Sequence, residues 1–337
     1  MNKYLILTFL TISLLIFNGC SEAPTSSEES INSSWVFVAN EGTFGASNGS
    51  ISMINEFGQV YETETIGDVV QSLEVYKNKL IVLVNNSHKI KLYDITSEGL
   101  SMPGIEVDTQ GSSPRDLVVI NDKVYFTNWT SQDVKVLNLF NYNIEKTIPV
   151  NGLPEDLMID DNHLWVTINM NADWTAASTV VKIDMASNTI TETIEVGLGP
   201  QELTKLNDDI YVSRTFYDAN WQAKHGATKI GTEVVINNYG TGAACGGSIL
   251  SYQSQVYRSF DGGLARMGSN LDLELESKIG NFDPDQVYHV ELINGNFWFA
   301  LTDYADMNEV HVLDTNGSTI NVYEVGQNPG DFAIWKK

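Results

Sequence analysis

Eight aromatic residues of this 337-residue chain fall in polar loop segments instead of the apolar runs: Phe44, Trp129, Trp174, Phe216, Tyr217, Trp221, Phe260 and Tyr304. Flat amphipathic rings on loops can stack on the apolar face of a ligand at little conformational cost. Any one of them could equally be a loop anchor. A set gathered on one face of a rigid scaffold reads as a binding surface. The candidate ligand-contacting residues are Phe44, Trp129, Trp174, Tyr217, Trp221 and Tyr304, with Arg115 and Asn128 as polar partners.

A second group recurs along the chain. Asp116, Asp156, Glu202 and Asp331, with Ser72 and Gln286 at equivalent places, stand at the start of β-rich runs. Such a collar could coordinate a cation or bond a ligand's amides. Because the acid belongs to the repeat, capping of local backbone N–H groups is the favoured role. The five histidines, His88, His163, His225, His289 and His311, show no metal-ligand spacing. There is no nucleophile elbow, zinc-protease helix or phosphate loop. No catalytic residue, resident metal or cofactor is therefore expected. A site assembled across repeats is the open alternative, with His225, His289 and Glu41 as its candidates.

The elements that must hold these groups repeat at steps of 40 to 46 residues. Arg115 to Val150 shows one unit: Asp116–Ile120, a turn at Asn121-Asp122, then Val124–Asn128, Val134–Leu139 and Ile144–Val150. Four short β runs per period make one blade of a propeller. Clear copies open at Pro114, Pro154, Pro200, Pro284 and Pro329, with weaker ones at Gln71 and Gly246. The fold class is all-β, a seven-bladed β-propeller. The final run, Asp331–Trp335, supplies the inner strand that the first run, Trp35–Asn40, lacks, so the chain ends pair and close the ring. Strand alternation places tight turns on one face and the long aromatic loops on the other.

Residues 1–19 read as an export leader: Lys3, an apolar core, then small residues. Phe17-Asn18-Gly19-Cys20 resembles a bacterial lipobox, which makes Cys20 the lipidated residue and 20–34 a Ser-rich tether before the propeller at 35–337. Only Cys245 is left inside the domain, so no internal disulfide holds it. A formal charge of −24 argues against nucleic acid and anionic lipid as partners, leaving the lipid anchor as the only membrane contact.

Leu164-Trp165-Val166-Thr167-Ile168-Asn169, Ile210-Tyr211-Val212-Ser213 and the link Val196-Gly197-Leu198-Gly199-Pro200 resemble the strand and linker motifs of YVTN/YncE-like seven-bladed propellers. The opening Asn40-Glu41-Gly42-Thr43-Phe44-Gly45, followed by Asn48-Gly49-Ser50-Ile51-Ser52, is similar to propeller lipoproteins of Bacteroidetes-type bacteria. That group includes surface cobalamin-binding lipoproteins partnered with TonB-dependent transporters. The resemblance implies an outer-membrane, surface-exposed lipoprotein that captures a corrinoid-like ligand and passes it to such a receptor. A propeller enzyme of lyase or lactonase type and a protein-docking platform are the alternatives.

Overall fold

The computed structural model describes residues 34–245, 247–305 and 308–337. The leader, Cys20 and the tether up to residue 33 lie outside the described residues. Among the described residues, twenty-seven strands assemble into seven antiparallel sheets, six of four strands and one of three. Blade one is closed from both chain ends: Pro329–Lys336 is its inner strand and pairs with Ser34–Asn40, which pairs in turn with Ser50–Asn55. Blade two begins at Val70–Tyr76, blade three at Pro114–Ile120, blade four at Leu153–Asp160 and blade five at Pro200–Leu206. Blade six begins at Ile249–Tyr252 and blade seven at Val287–Ile293.

Period-two alternation builds the core between blades. On Ser34–Asn40, Trp35, Phe37 and Ala39 pack with Leu80, Val82 and Val84 of blade two. Val36 and Val38 point the other way, against Ala300, Val310 and Val312 of blade seven. Ile81 and Leu83 repeat the logic, facing Leu117 and Phe126 of blade three. Each sheet is thus buried on both faces, and a one-residue register slip would swap its partners. The tight-turn face forms as its residues dictate. Asn121 and Asp122 hold φ of 51° and 58°, and Asn294-Gly295 hold 53° and 78°, the left-handed pairs that a two-residue hairpin turn requires.

Two sequence expectations need correction. Blade six has three strands, Ile249–Tyr252, Gln255–Phe260 and Gly263–Met267. The segment after it makes only isolated bridges, Leu264 to Ile279 and Met267 to Leu273, and a short 3-10 turn. Asp261-Gly262 is a tight turn, not a binding loop, and Phe260 packs its ring on His225 and Tyr239.

Conserving space at the blade links is as important as filling the core. Gly199, between blades four and five, has φ of +65°, and a Cβ there would lie 2.1 Å from the Thr215 carbonyl oxygen. Gly199→Ala is expected to destabilise the fold by about 2–3 kcal/mol, since strain and clash add at one position. Urea unfolding would measure it; a change inside experimental error would mean that the link relaxes freely.

Candidate functional site

The inner strands meet around a central channel, and residues near their starts form two rings. The lower ring is Ser72, Asp116, Asp156, Glu202, Ser248, His289 and Asp331. Its members tie neighbouring blades through backbone N–H groups at five of the seven junctions: Leu73 N donates to Asp331 (2.6 Å), Leu157 N to Asp116 (3.3 Å), Leu203 N to Asp156, Ile249 N to Glu202 (3.1 Å) and Val290 N to the Ser248 hydroxyl (3.0 Å). The repeated acid is a blade-to-blade staple, the capping role preferred from the sequence. Gln286 is not its counterpart in blade seven. Pro284-Asp285 imitates the Pro-x-acid opening, but the inner strand starts at Val287, and His289 precedes the buried Val290 as each collar residue precedes its buried neighbour.

Crowding acids around one axis disfavours their ionisation. Burial raises the Asp116 and Asp156 carboxyls, and the two share one hydrogen bond, which Asp156 donates and Asp116 accepts. Burial, with the charges of Asp116 and Asp331, pushes Glu74 up to about 8. For His289, burial opposes the imidazolium, but the Glu202 and Glu291 carboxylates outweigh it and hold its pKa well above the usual range.

The upper ring continues toward the long loops as a hydrogen-bonded chain. Tyr288 donates to Glu41 (2.8 Å), Gln71 donates to Glu41 (3.1 Å), and Arg115 donates to Gln71 (2.6 Å) and to both oxygens of Glu155. Burial works against the Arg115 charge, and Glu155 more than offsets it. The guanidinium also lies over the Trp129 ring, 4.1 Å from its centre. That stack holds both groups rigid.

Beside this chain opens a cavity of about 450 Å³ between the loops of blades three, four and five. Arg115, Trp129, Trp174, Tyr217 and Trp221 line it, with Glu155, Gln201 and Thr215 supplying polar atoms. Trp129 meets Trp174 edge to face at 5.7 Å, and Tyr217 lies 6.4 Å from Trp221. The Trp129 indole N–H is buried without an acceptor. Trp174 and Trp221 are 65% and 83% exposed, so the rings that form the outer wall stand in solvent.

One local device presents both exposed tryptophans. In residues 171–175 and 218–222, an Asp side chain caps the turn and the Trp sits in the left-handed region, at φ of 67° and 58°. Trp174 N bonds Asn171 O and Trp221 N bonds Asp218 O. Left-handed backbone is costly for a bulky residue, of order 1–3 kcal/mol, and its use twice at one rim marks the positions as specified.

The other predicted residues lie elsewhere. Asn128 is fully buried; it accepts from Ser112 and donates to Asp133, so its side chain serves the blade and does not reach the cavity. Phe44 is 75% exposed on the blade-one loop and does not line the cavity. Tyr304 stands across the channel mouth, edge-on to Tyr288 and donating to the Cys245 sulfur at 3.0 Å. Among the cross-blade catalytic candidates, His225 is buried, with Nε2 on Ala243 O and Nδ1 facing Arg258, and burial lowers its pKa to about 4. Glu155, Gln201 and Thr215 are cavity residues that sequence reasoning passed over. Glu155 and Gln201 follow the repeat's Pro directly, as Arg115 does, and that shared position was the available signal.

No family profile and no curated protein sequence matches this chain. Solved structures do. A functionally unknown protein from Desulfotomaculum acetoxidans shares 12% identity over 89% of this chain and 98% of its own, with a TM-score of 0.66. A candidate 6-phosphogluconolactonase from Bacteroides uniformis shares 14% over 90% and 99%, with a TM-score of 0.65. Apo AztD from Citrobacter koseri shares 11% over 91% and 99%, with a TM-score of 0.58. At such identities the likeness is one of fold: the chain is a seven-bladed β-propeller.

Proposed function

We propose that the protein is a non-catalytic, lipid-anchored capture protein of the cell envelope that binds a bulky, ring-bearing small molecule in the tryptophan cavity. The observation that carries this reading is the convergence of Trp129, Trp174 and Trp221 from three consecutive blades on one cavity whose inner wall is the rigid Arg115–Glu155 pair. Aromatic walls with a few fixed polar groups are the usual makeup of a small-molecule site, and about 450 Å³ suits a drug-sized ligand or one lobe of a larger one. A corrinoid is the ligand class favoured by the resemblance of the Asn40–Ser52 opening, with its edge or side groups in the cavity and its bulk over the channel mouth. A TonB-dependent outer-membrane receptor is the corresponding partner, and the outer surface of the cell the corresponding place.

Titration of the purified protein with cobalamins, siderophores and oligosaccharides, followed by tryptophan fluorescence and calorimetry, tests the reading. One class is expected to bind, and Trp129→Ala to weaken it about 30-fold or more, because truncating a central aromatic typically costs about 2 kcal/mol or more. Trp174→Ala should weaken it less, and Phe44→Ala should leave it unchanged. No binding in any class, or equal binding by wild type and Trp129→Ala, overturns the proposal.

A further inference from the structure

The staple ring contains one irregular member, and it creates a different donor set. His289, which lines the channel, and Glu291 stand two apart on the inner strand of blade seven, so their side chains leave it on the same side. Asp331 reaches the same point from the inner strand of blade one. One ligand atom from each of the three lies within 4.8 Å of the others.

Three observations separate this cluster from the rest of the collar. First, its imidazole is oriented from behind. His289 Nδ1 lies 3.2 Å from the Ser248 hydroxyl and 3.6 Å from a Glu202 oxygen, which leaves Nε2 facing Glu291. A carboxylate or hydroxyl behind a histidine is the usual support for a metal-binding imidazole. Second, Nε2 and Glu291 Oε2 are 3.9 Å apart, too far for a hydrogen bond but only slightly wider than two ligands of one tetrahedral ion, about 3.3 Å. Third, Glu291 Oε2 is buried without any hydrogen-bond donor among the described residues, and so is Glu74 Oε2 on the inner strand of blade two, which adjoins the strand carrying Asp331. Buried carboxylate oxygens without donors are rare unless something else meets them.

We propose that the channel binds one divalent transition-metal ion of the Zn²⁺ type through His289 Nε2, Glu291 and Asp331, with channel water completing its coordination. One imidazole and two carboxylates suit Zn²⁺ or Mn²⁺ better than Ca²⁺, which prefers six to eight oxygens. The ion would bridge blades seven and one, the junction at which the two chain ends are joined. Its role is to lock ring closure, and the proposal is independent of what the tryptophan cavity holds.

The test is to strip the purified protein with a chelator, then measure Zn²⁺ by equilibrium dialysis with elemental analysis while following the melting temperature. Wild type should take up one equivalent with micromolar or tighter affinity and melt higher, as any ligand of the native state alone requires. Ca²⁺ at the same concentration should do neither. Glu291→Gln, which keeps the side-chain shape and removes one charge facing His289, should weaken Zn²⁺ at least about tenfold while the metal-free protein still unfolds cooperatively. His289→Gln should abolish uptake, and Cys245→Ser should leave the stoichiometry at one. Absence of uptake by wild type, or retention of one equivalent by both Glu291→Gln and His289→Gln, overturns the assignment and marks any bound metal as adventitious.

Discussion

Replacing Arg258 by alanine is expected to cost about 3–5 kcal/mol and to lower the melting temperature by on the order of 10 °C. Arg258 is fully buried in blade six, and Arg214 of blade five is 1% exposed. Neither makes a salt bridge among the described residues. Backbone carbonyls take the place of a counter-ion: Arg258 donates to Gly226 O (3.1 Å), Ser259 O (2.6 Å) and Arg214 O (3.0 Å), and also faces His225 Nδ1. Its guanidinium lies 5.6 Å from the Tyr239 ring centre. Burial draws its pKa down only to about 10, so it is charged at neutral pH. Alanine would leave a cavity and three buried carbonyls without donors. Arg258→Met would refill the volume and is expected to recover only part of the loss, while Arg258→Lys should recover little, since an ammonium cannot match the fork geometry. Calorimetry of the three variants would decide. A methionine variant as stable as wild type would show that volume, not carbonyl satisfaction, is what Arg258 supplies.

That pair also shows where sequence reasoning ran out. The period, the all-β class and the closure of the ring were legible, because turn chemistry and two-residue alternation are local properties. Arg214 and Arg258 lie in the second strands of their blades, and their partners come from other strands and blades, 16 to 44 residues away for most of the contacts. Nothing in the neighbouring residues marks them as buried. The same cause produced the misplaced Gln286. A Pro-Asp dipeptide imitated the repeat three residues early, and only the pairing of Val287–Ile293 with Asn296–Thr302 reveals His289 as the ring member. For the cavity, the rings were visible as aromatics in polar loops, yet their grouping was not. Trp129, Trp174 and Trp221 meet because blades three to five are adjacent, whereas Phe44 and Tyr304 belong to loops on another sector of the rim.

The collar predicts an unusual pH response. Most proteins gain stability as carboxylates ionise, because their native-state pKa values are depressed. Here the relevant groups are shifted the other way: Glu74 is pushed up to about 8, and Asp116 and Asp156 are also raised. For an acid raised on folding, the native state holds the proton more tightly than the unfolded chain. Its stabilising contribution is complete below the unfolded pKa, near 4.5, and disappears as pH climbs through the folded value. Glu74 alone, if the full difference is expressed, corresponds to about 4–5 kcal/mol lost between pH 4.5 and 8. Stability in chelator-treated buffer should therefore peak on the acid side of neutrality and fall steadily toward pH 8. The charges of Asp331 and Asp116, on the inner strands of blades one and three to either side, share the penalty, so no single substitution removes all of it. Glu74→Gln keeps an acceptor for the Val119 N–H that the carboxylate bonds, and it cannot titrate. It should flatten the fall and melt above wild type at pH 8 while matching it near pH 5. Surface acids cannot mimic this, since their pKa values change little on folding and solvent screens them. A wild-type melting temperature that rises from pH 5 to pH 8, or a Glu74→Gln profile parallel to it, would mean that the collar carboxylates ionise freely and the channel is far more polar than its packing indicates.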